Sequence, residues 1–248
     1  MAGDPRRAQD AQRPGRECQT TAVTNVSVLD REMYSEAEAA RLLRVPQNTL
    51  NYWLEGGTRG SKTYPPIIRP EPKGGRAPLT WAEFVEAGLL RSYRRDLGVR
   101  MAELRAFIDR LRNDLGVPYP LADRRPYVDG RELVFRAQEE TGLDADLWLV
   151  TDVRGQYRLL PASDEFYRRV SWDGDVASGW RPDDNPDSPV RIRPDQRFGK
   201  PAIGGISTEV IWEHGDAGAD EAEIAETFGL SLSDVRWALS YETARRAA

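Results

Sequence analysis

Tyr34-Ser35-Glu36-Ala37-Glu38-Ala39-Ala40-Arg41-Leu42-Leu43-Arg44-Val45-Pro46-Gln47-Asn48-Thr49-Leu50-Asn51-Tyr52-Trp53-Leu54 is the stretch around which the chain is organised. It reads as two short helices with a tight turn between them. Ser35 suits an N-cap, and Glu38 three residues on completes a capping box. Ala39, Leu42 and Leu43 share one face of the first helix. Arg44-Val45 is the turn, and Pro46 opens the second helix where its missing N–H costs nothing. Leu50, Trp53 and Leu54 recur at i, i+3 and i+4 and face the first helix. The opposite face carries Gln47, Asn48, Thr49, Asn51 and Tyr52, side chains suited to hydrogen bonds with base edges. The pattern is that of a helix-turn-helix with its recognition helix second. A helical hairpin that contacts only protein fits the same spacing.

The charge supports the first of these readings. The 248-residue chain has a net charge of −5, unevenly spread. Met33 to Gly116 holds fourteen Lys/Arg against ten Asp/Glu, a net +4. Val117 to Phe198 holds twelve against sixteen, and Gly199 onward holds four against nine, so only the front has the sign that phosphate contact needs. No apolar run is long enough for a membrane span, and Cys18 is the single cysteine. A cytoplasmic protein without a disulfide framework or cysteine metal site is expected.

Residues 1–27 are polar and aperiodic and read as a disordered tail. After Leu54 a Gly-containing turn with Arg59 and Lys62 leads into the extended Tyr64–Pro70 segment. Lys73-Gly74-Gly75-Arg76 then reads as the basic tip of a wing, with Lys73 and Arg76 placed to hold a phosphate. Thr80-Trp81-Ala82-Glu83 is a second capping box. It opens a helix faced by Trp81, Phe84, Val85, Leu89 and Tyr93, ended by Leu97-Gly98-Val99. A further helix spans Met101 to Leu115, faced by Leu104, Phe107, Ile108 and Leu111. This order, carried by Ala39–Val45, Thr49–Trp53 and Leu79–Trp81, resembles the MerR-type winged helix. MerR-like recognition helices usually carry Arg where this chain has Asn51.

Residues 117–187 read as a β-containing connecting segment. It has a hairpin around Asp129-Gly130 within Tyr127–Phe135, and strands at Asp146–Thr151 and Gln156–Leu160. Phe166–Trp172 reads as a strand or short helix, and Trp180–Pro189 as a linker. Residues 188–248 read as a small helical bundle: Gly229 ends one helix, Ser231 caps the next, and together they make a second helix-turn-helix. Its opening, Phe198-Gly199-Lys200-Pro201-x-Ile203-x-Gly205, resembles a domain of unknown function found in predicted antitoxins, often encoded beside PIN-domain ribonucleases.

The fold class is therefore mainly α with a small β portion. A front winged helix-turn-helix (28–116), the middle segment and the C-terminal module together resemble VapB-type antitoxins of that architecture. The resemblance implies a DNA-binding antitoxin that neutralises a PIN-domain toxin and autoregulates its operon, working as a homodimer on operator DNA. The alternative is a MerR-like regulator sensing a small ligand among Trp148, Tyr157, Trp172 and Trp180. Glu221, Glu223, Glu226 and Asp234 make the C-terminal polar faces acidic, so this module is expected to bind protein rather than DNA. The candidates are Ile211, Trp212, Ile224, Phe228, Val235, Trp237 and Leu239, with Arg245 and Arg246 free to block an acidic metal site. No catalytic constellation, cofactor or metal site is expected. His214 is the sole histidine and lacks a partner for catalysis.

Overall fold

The chain enters the fold through a short strand, β1 (Glu32–Tyr34), followed by α1 (Glu36–Leu42) and α2 (Gln47–Glu55). The computed structural model describes residues 27–96, 101–127, 131–142, 148, 150–152, 156–159 and 161–247. The tail expected at 1–27, apart from Ser27, lies outside these residues, as do Cys18 and the break expected at Leu97-Gly98-Val99. An antiparallel hairpin, β2 (Gly57–Arg59) with β3 (Lys62–Tyr64), comes next, and β4 (Leu79–Thr80) returns to pair with β1. Two long helices follow, α3 (Trp81–Asp96) and α4 (Met101–Leu115). The apolar faces expected for them are buried: Trp81, Phe84, Val85 and Leu89 in α3, and Leu104, Phe107, Ile108 and Leu111 in α4.

The middle segment corrects two expectations. Residues after Asp129-Gly130 form a helix, α5 (Arg131–Glu140), rather than the second arm of a hairpin; 128–130 lie outside the described residues. Val134, Ala137 and Gln138 are buried at helical spacing, so the 3.6 period overrides the turn signal. The expected strand pair exists as β5 (Val150–Asp152) with β6 (Tyr157–Leu159). Phe166–Trp172 is divided between α6 (Pro161–Arg169) and β7 (Val170–Asp173), which pairs with β8 (Val176–Trp180). The second correction is the linker expected from Trp180. Trp180 ends β8 and is buried, Arg181 and Ser188 are buried too, and Arg169 grips Asp184 at 2.5 Å. That stretch is docked because its polar groups find partners within it, Asp183 and Asn185 accepting from the backbone two residues on.

The C-terminal module contains β9 (Ala202–Ile203), β10 (Ile206–Ser207), α7 (Thr208–Asp216), α8 (Glu221–Phe228) and α9 (Leu232–Arg246). Gly229 caps α8 in the left-handed region, and Ser231 caps α9 in a box with Asp234. About 53% of the chain is helical and the described strands pair two by two, so the architecture is mainly α with a small β portion. One apolar core runs from Tyr34 to Ile192 and includes the middle segment. A second runs from Val190 to Tyr241.

Helix α3 is the pillar of the first core. Every residue from Trp81 to Leu90 is buried. The Trp81 indole donates to the Ala177 carbonyl at 2.7 Å, and Trp180 lies across Gly88, where a Cβ would come within 2.9 Å of its ring. Glycine is a poor helix former, yet only glycine lets the indole that close. Two carboxylates sit inside this helix. Glu83 closes the expected capping box with Thr80 and also receives Arg69 at 3.0 and 3.1 Å, Lys73 at 2.9 Å and the Tyr119 hydroxyl at 3.2 Å. Burial opposes its charge, but Arg69 and Lys73 outweigh burial and hold the carboxyl below its ordinary value. Glu86 accepts only the Leu121 N–H, at 2.9 Å, and its second oxygen is unpartnered. Burial pushes its carboxyl up to about 8, although Arg112 opposes the shift.

Two outcomes follow from these carboxylates. Glu83→Ala leaves buried Arg69 with Glu55 as its one carboxylate partner among the described residues and should cost about 3 kcal/mol in denaturant unfolding; a loss below about 1 kcal/mol contradicts the role given to the pair. Glu86 stays protonated in the fold at a pH where the unfolded chain ionises it. Its contribution is therefore greatest in acid and is lost as pH rises from its unfolded value, about 4.3, toward about 8. The slope is at most about 1.4 kcal/mol per pH unit. Glu86→Gln should remove that slope, read as unfolding midpoints across pH; an unchanged slope assigns the dependence elsewhere.

Candidate nucleic-acid interface

Ser35 accepts the Glu38 N–H at 3.3 Å and starts α1. Leu43 ends it, Arg44 adopts φ 52°, and the Val45 N–H reaches back to the Ala40 carbonyl at 2.9 Å. Pro46 stands at the N-cap of α2, one position before the place expected for it, and provides no side-chain cap. Leu50, Trp53 and Leu54 are buried against α1, as their spacing implies. Asn48 is exposed, whereas Gln47, Thr49, Asn51 and Tyr52 are half-buried.

The amides on α2 therefore differ. Asn51 donates from Nδ2 to Glu36 Oε2 at 2.9 Å, tying α2 to the buried start of α1. Asn48 has no protein partner among the described residues. Arg59 lies over the Tyr52 ring at 4.8 Å, and Tyr52 meets Tyr64 edge-on at 6.5 Å. Arg105 of α4 lies 5.8 Å from the Tyr64 ring. The Tyr52 ring thus sets Arg59 of the β2–β3 hairpin beside α2.

The hairpin beside α2 is not the one the sequence suggests. The antiparallel hairpin turns at Gly60-Ser61, so its flanking cations are Arg59 and Lys62. Lys73-Gly74-Gly75-Arg76 lies in a loop instead. Lys73 is bound to buried Glu83, and Gly74 donates to Glu55 at 2.9 Å. Glu83 and Glu55 tether that loop through Lys73 and the Gly74 N–H, and the loop itself, Arg76 included, stays exposed.

In the C-terminal module Ile211, Ile224 and Val235 belong to the core and are closed to any partner. Trp212, Phe228, Trp237 and Leu239 are half-buried. Phe228 meets His214 edge-on at 4.8 Å. Trp237 borders a shallow cleft of about 250 Å³ with Ser233, Arg236 and Ser240. The two terminal arginines are committed, contrary to expectation. Arg245 donates to Glu242 at 2.6 and 2.8 Å, and Arg246 sits 3.7 Å over the Trp212 ring. Glu242 is buried and draws them in. Lys200 holds the Glu209 carboxyl below its usual range at 2.9 Å.

Phe198 escaped the sequence reading as a surface residue. It is 86% exposed and left-handed at φ 53°, beside Arg197 at φ 48°. Gly199, also left-handed, accepts the buried Tyr34 hydroxyl at 2.8 Å, and a Cβ there would meet that hydroxyl at 2.4 Å. A Phe beside Gly in an apolar motif gives no sequence signal of exposure.

Comparison with known proteins follows this division. The family described as "Protein of unknown function (DUF433)" matches residues 190–241, the span of the second core. The chain is 34% identical over 233 residues to "Uncharacterized protein Rv2308" of Mycobacterium tuberculosis (strain ATCC 25618 / H37Rv), covering 90% of this chain and 94% of that one. It is 32% identical over 225 residues to "Putative antitoxin VapB45" of the same strain, covering 85% and 93%. The chain belongs to the family of these two proteins. The X-ray crystal structure of Rv2018 from Mycobacterium tuberculosis shares the fold, with a TM-score of 0.69 and 29% identity over 85% of this chain and 99% of that one. The family likeness thus extends across both cores.

The two α2 amides predict a separation. Asn48→Ala should leave the melting temperature unchanged and cost about 1–3 kcal/mol of discrimination on a cognate duplex. Asn51→Ala should cost about 1 kcal/mol of stability through the lost Glu36 hydrogen bond. Equal effects of both on melting contradict the division.

Proposed function

We propose that the chain is a DNA-binding antitoxin: it neutralises a PIN-domain ribonuclease, represses its own operon and has no enzymatic activity of its own. The observation that carries this reading is the 32% identity with "Putative antitoxin VapB45" over 93% of that relative. The match to DUF433 at 190–241 supports it. So does the front of the molecule. α1 and α2 are joined by a short turn, α2 presents Asn48 and Gln47 outward, and a hairpin with Arg59 and Lys62 stands beside it. This supports reading the front as a winged helix-turn-helix that would set α2 in the major groove and the hairpin on the phosphates.

In this reading the C-terminal module meets the toxin. Its helices carry mostly acidic surface, which DNA phosphates repel. A PIN nuclease gathers carboxylates around its metal, so the antitoxin must bring apolar area and a cation to cover them. Trp212 with Arg246, and Trp237 with Arg236, offer such pairs at the surface. A homodimer follows from DNA geometry, because one short recognition helix spans too few base pairs for specificity.

The ligand-sensing alternative lacks a comparable observation. Trp172 stacks on Tyr167 at 5.7 Å, Trp180 packs on Phe166 at 5.6 Å, and Trp148 meets Phe135 at 5.1 Å, so these aromatics pack against one another.

The test is co-expression with the product of the adjacent reading frame. The expected outcome is a stable complex in which ribonuclease activity on total RNA is suppressed, and which binds the DNA upstream of the chain's own gene. A nuclease that stays active in excess of the chain, or an adjacent product without a cluster of acidic residues, sinks the reading.

A further inference from the structure

The seam between the two modules holds a cleft of about 600 Å³ that the reading above does not use. Its walls carry Arg41 from α1, Arg44 from the turn, Gln47 from α2 and Arg245 from α9, over Val45 and Pro46. Among the described residues, no carboxylate lines it. The neighbouring smaller cleft, of about 200 Å³, shares Arg41 and Arg245 but is edged by Glu38, Glu209 and Glu242.

Two of the three cations in the larger cleft are uncommitted, and the third, Arg245, keeps one free nitrogen. Arg41 and Arg44 are exposed, and their side chains make no hydrogen bond or ion pair among the described residues. Asp184 feels the Arg44 charge, but its carboxylate is bound to Arg169 at 2.5 Å. Arg245 spends Nε and Nη2 on Glu242, which fixes its guanidinium and leaves Nη1 uncommitted. Glu242 is itself satisfied, since it also accepts the Thr208 hydroxyl at 2.6 Å. The α2 N-terminus opens here as well: its first N–H groups have no intrahelical acceptor, and Pro46 cannot cap them.

Arg44 adds a local rule broken. It occupies the left-handed position that ends α1, where glycine is the comfortable residue. Any residue with a Cβ is strained at φ 52°. The fold gains no partner from it, so the reason for an arginine lies outside the chain.

We propose that this cleft is a phosphate-binding site built jointly by the two modules, and that on the DNA-binding reading, on which it rests, it grips the duplex backbone beside the groove entered by α2. Arg41 and Arg44 come from the front and Arg245 from the far end of the chain. A guanidinium fixed by Glu242 presents its remaining donors without further ordering, which suits a planar contact to phosphate oxygens. The C-terminal module then shapes DNA affinity through one residue at the seam, although its own helices face protein.

The experiment uses the full chain and a short duplex of random sequence, titrated by fluorescence anisotropy over a salt series. Each lost phosphate contact lowers the slope of log affinity against log salt by about 0.9. Arg44→Gly should lower the slope by that amount while the melting temperature stays at or above wild type, a combination that a merely structural role for Arg44 would not give. Arg41→Gln and Arg245→Gln should each lower the slope similarly. Wild-type slopes in Arg44→Gly and Arg41→Gln overturn the proposal, whatever Arg245→Gln does to folding. If wild type binds no duplex, the DNA reading fails by itself, and pyrophosphate titration of the arginine Nε–H resonances decides the cleft. Shifts that vanish in Arg44→Gly retain it as a phosphate site; the absence of shifts overturns it.

Discussion

The front two-thirds of the molecule hangs on the buried pair between Arg69 and Glu83. Taking both charges out of water is expensive, and such a pair persists only when every remaining donor and acceptor is met. Here the surroundings do that. Arg69 is shared with Glu55 at the end of α2 and with the Ala77 and Pro78 carbonyls. Glu83 gathers Lys73, Thr80 and Tyr119. One network therefore fixes the end of α2, the start of α3 and the beginning of the middle segment. It also tethers the exposed loop at 71–78, whose lysine and Gly74 N–H are both claimed by carboxylates.

The same network sets what the surface beside α2 looks like. With Lys73 withdrawn, the cations left beside the helix are those of the β2–β3 hairpin, and Tyr52 and Tyr64 hold Arg59 there through their rings. On the far side of the turn stand Arg41 and Arg44, whose side chains are unpaired among the described residues. The positive sign of the front half is thus expressed at two places flanking α2, while many of its other arginines, among them Arg69 and Arg112, are spent on internal bonds. A charge count over the segment has the right sign but cannot say which charges face out.

What was legible in the sequence was whatever repeats with a period. The helical spacing of Leu50, Trp53 and Leu54, and of Leu104, Phe107, Ile108 and Leu111, reads directly as buried faces. So do caps, because Thr80 with Glu83 and Ser231 with Asp234 are local pairs. Asp129-Gly130 misled because the same dipeptide can precede a helix as readily as join two strands. The wing misled because Gly60-Ser61 and Gly74-Gly75 are both turn signals, and the choice between them was made by Glu83 and Glu55, a contact the linear order does not show. At the candidate interface the polar face of α2 was legible, but the commitment of Asn51 to Glu36 was not, nor was the seam that brings Arg245 to the turn.

That seam has a consequence for where the chain can be divided. Residues 190–192 are sewn on both sides: Ile192 exchanges backbone hydrogen bonds with Trp180 at 2.8 Å in both directions, and Arg191 does so with Ala202 at 2.9 Å. Val190 belongs to one core and Ile192 to the other. A cut on either side of this ribbon would strand a row of bare N–H and C=O groups on the piece that lost it. Such an edge is a template for any other extended chain. Isolated halves of this protein should therefore tend to associate with themselves, and self-association of a fragment would speak of the missing strand rather than of a natural partner.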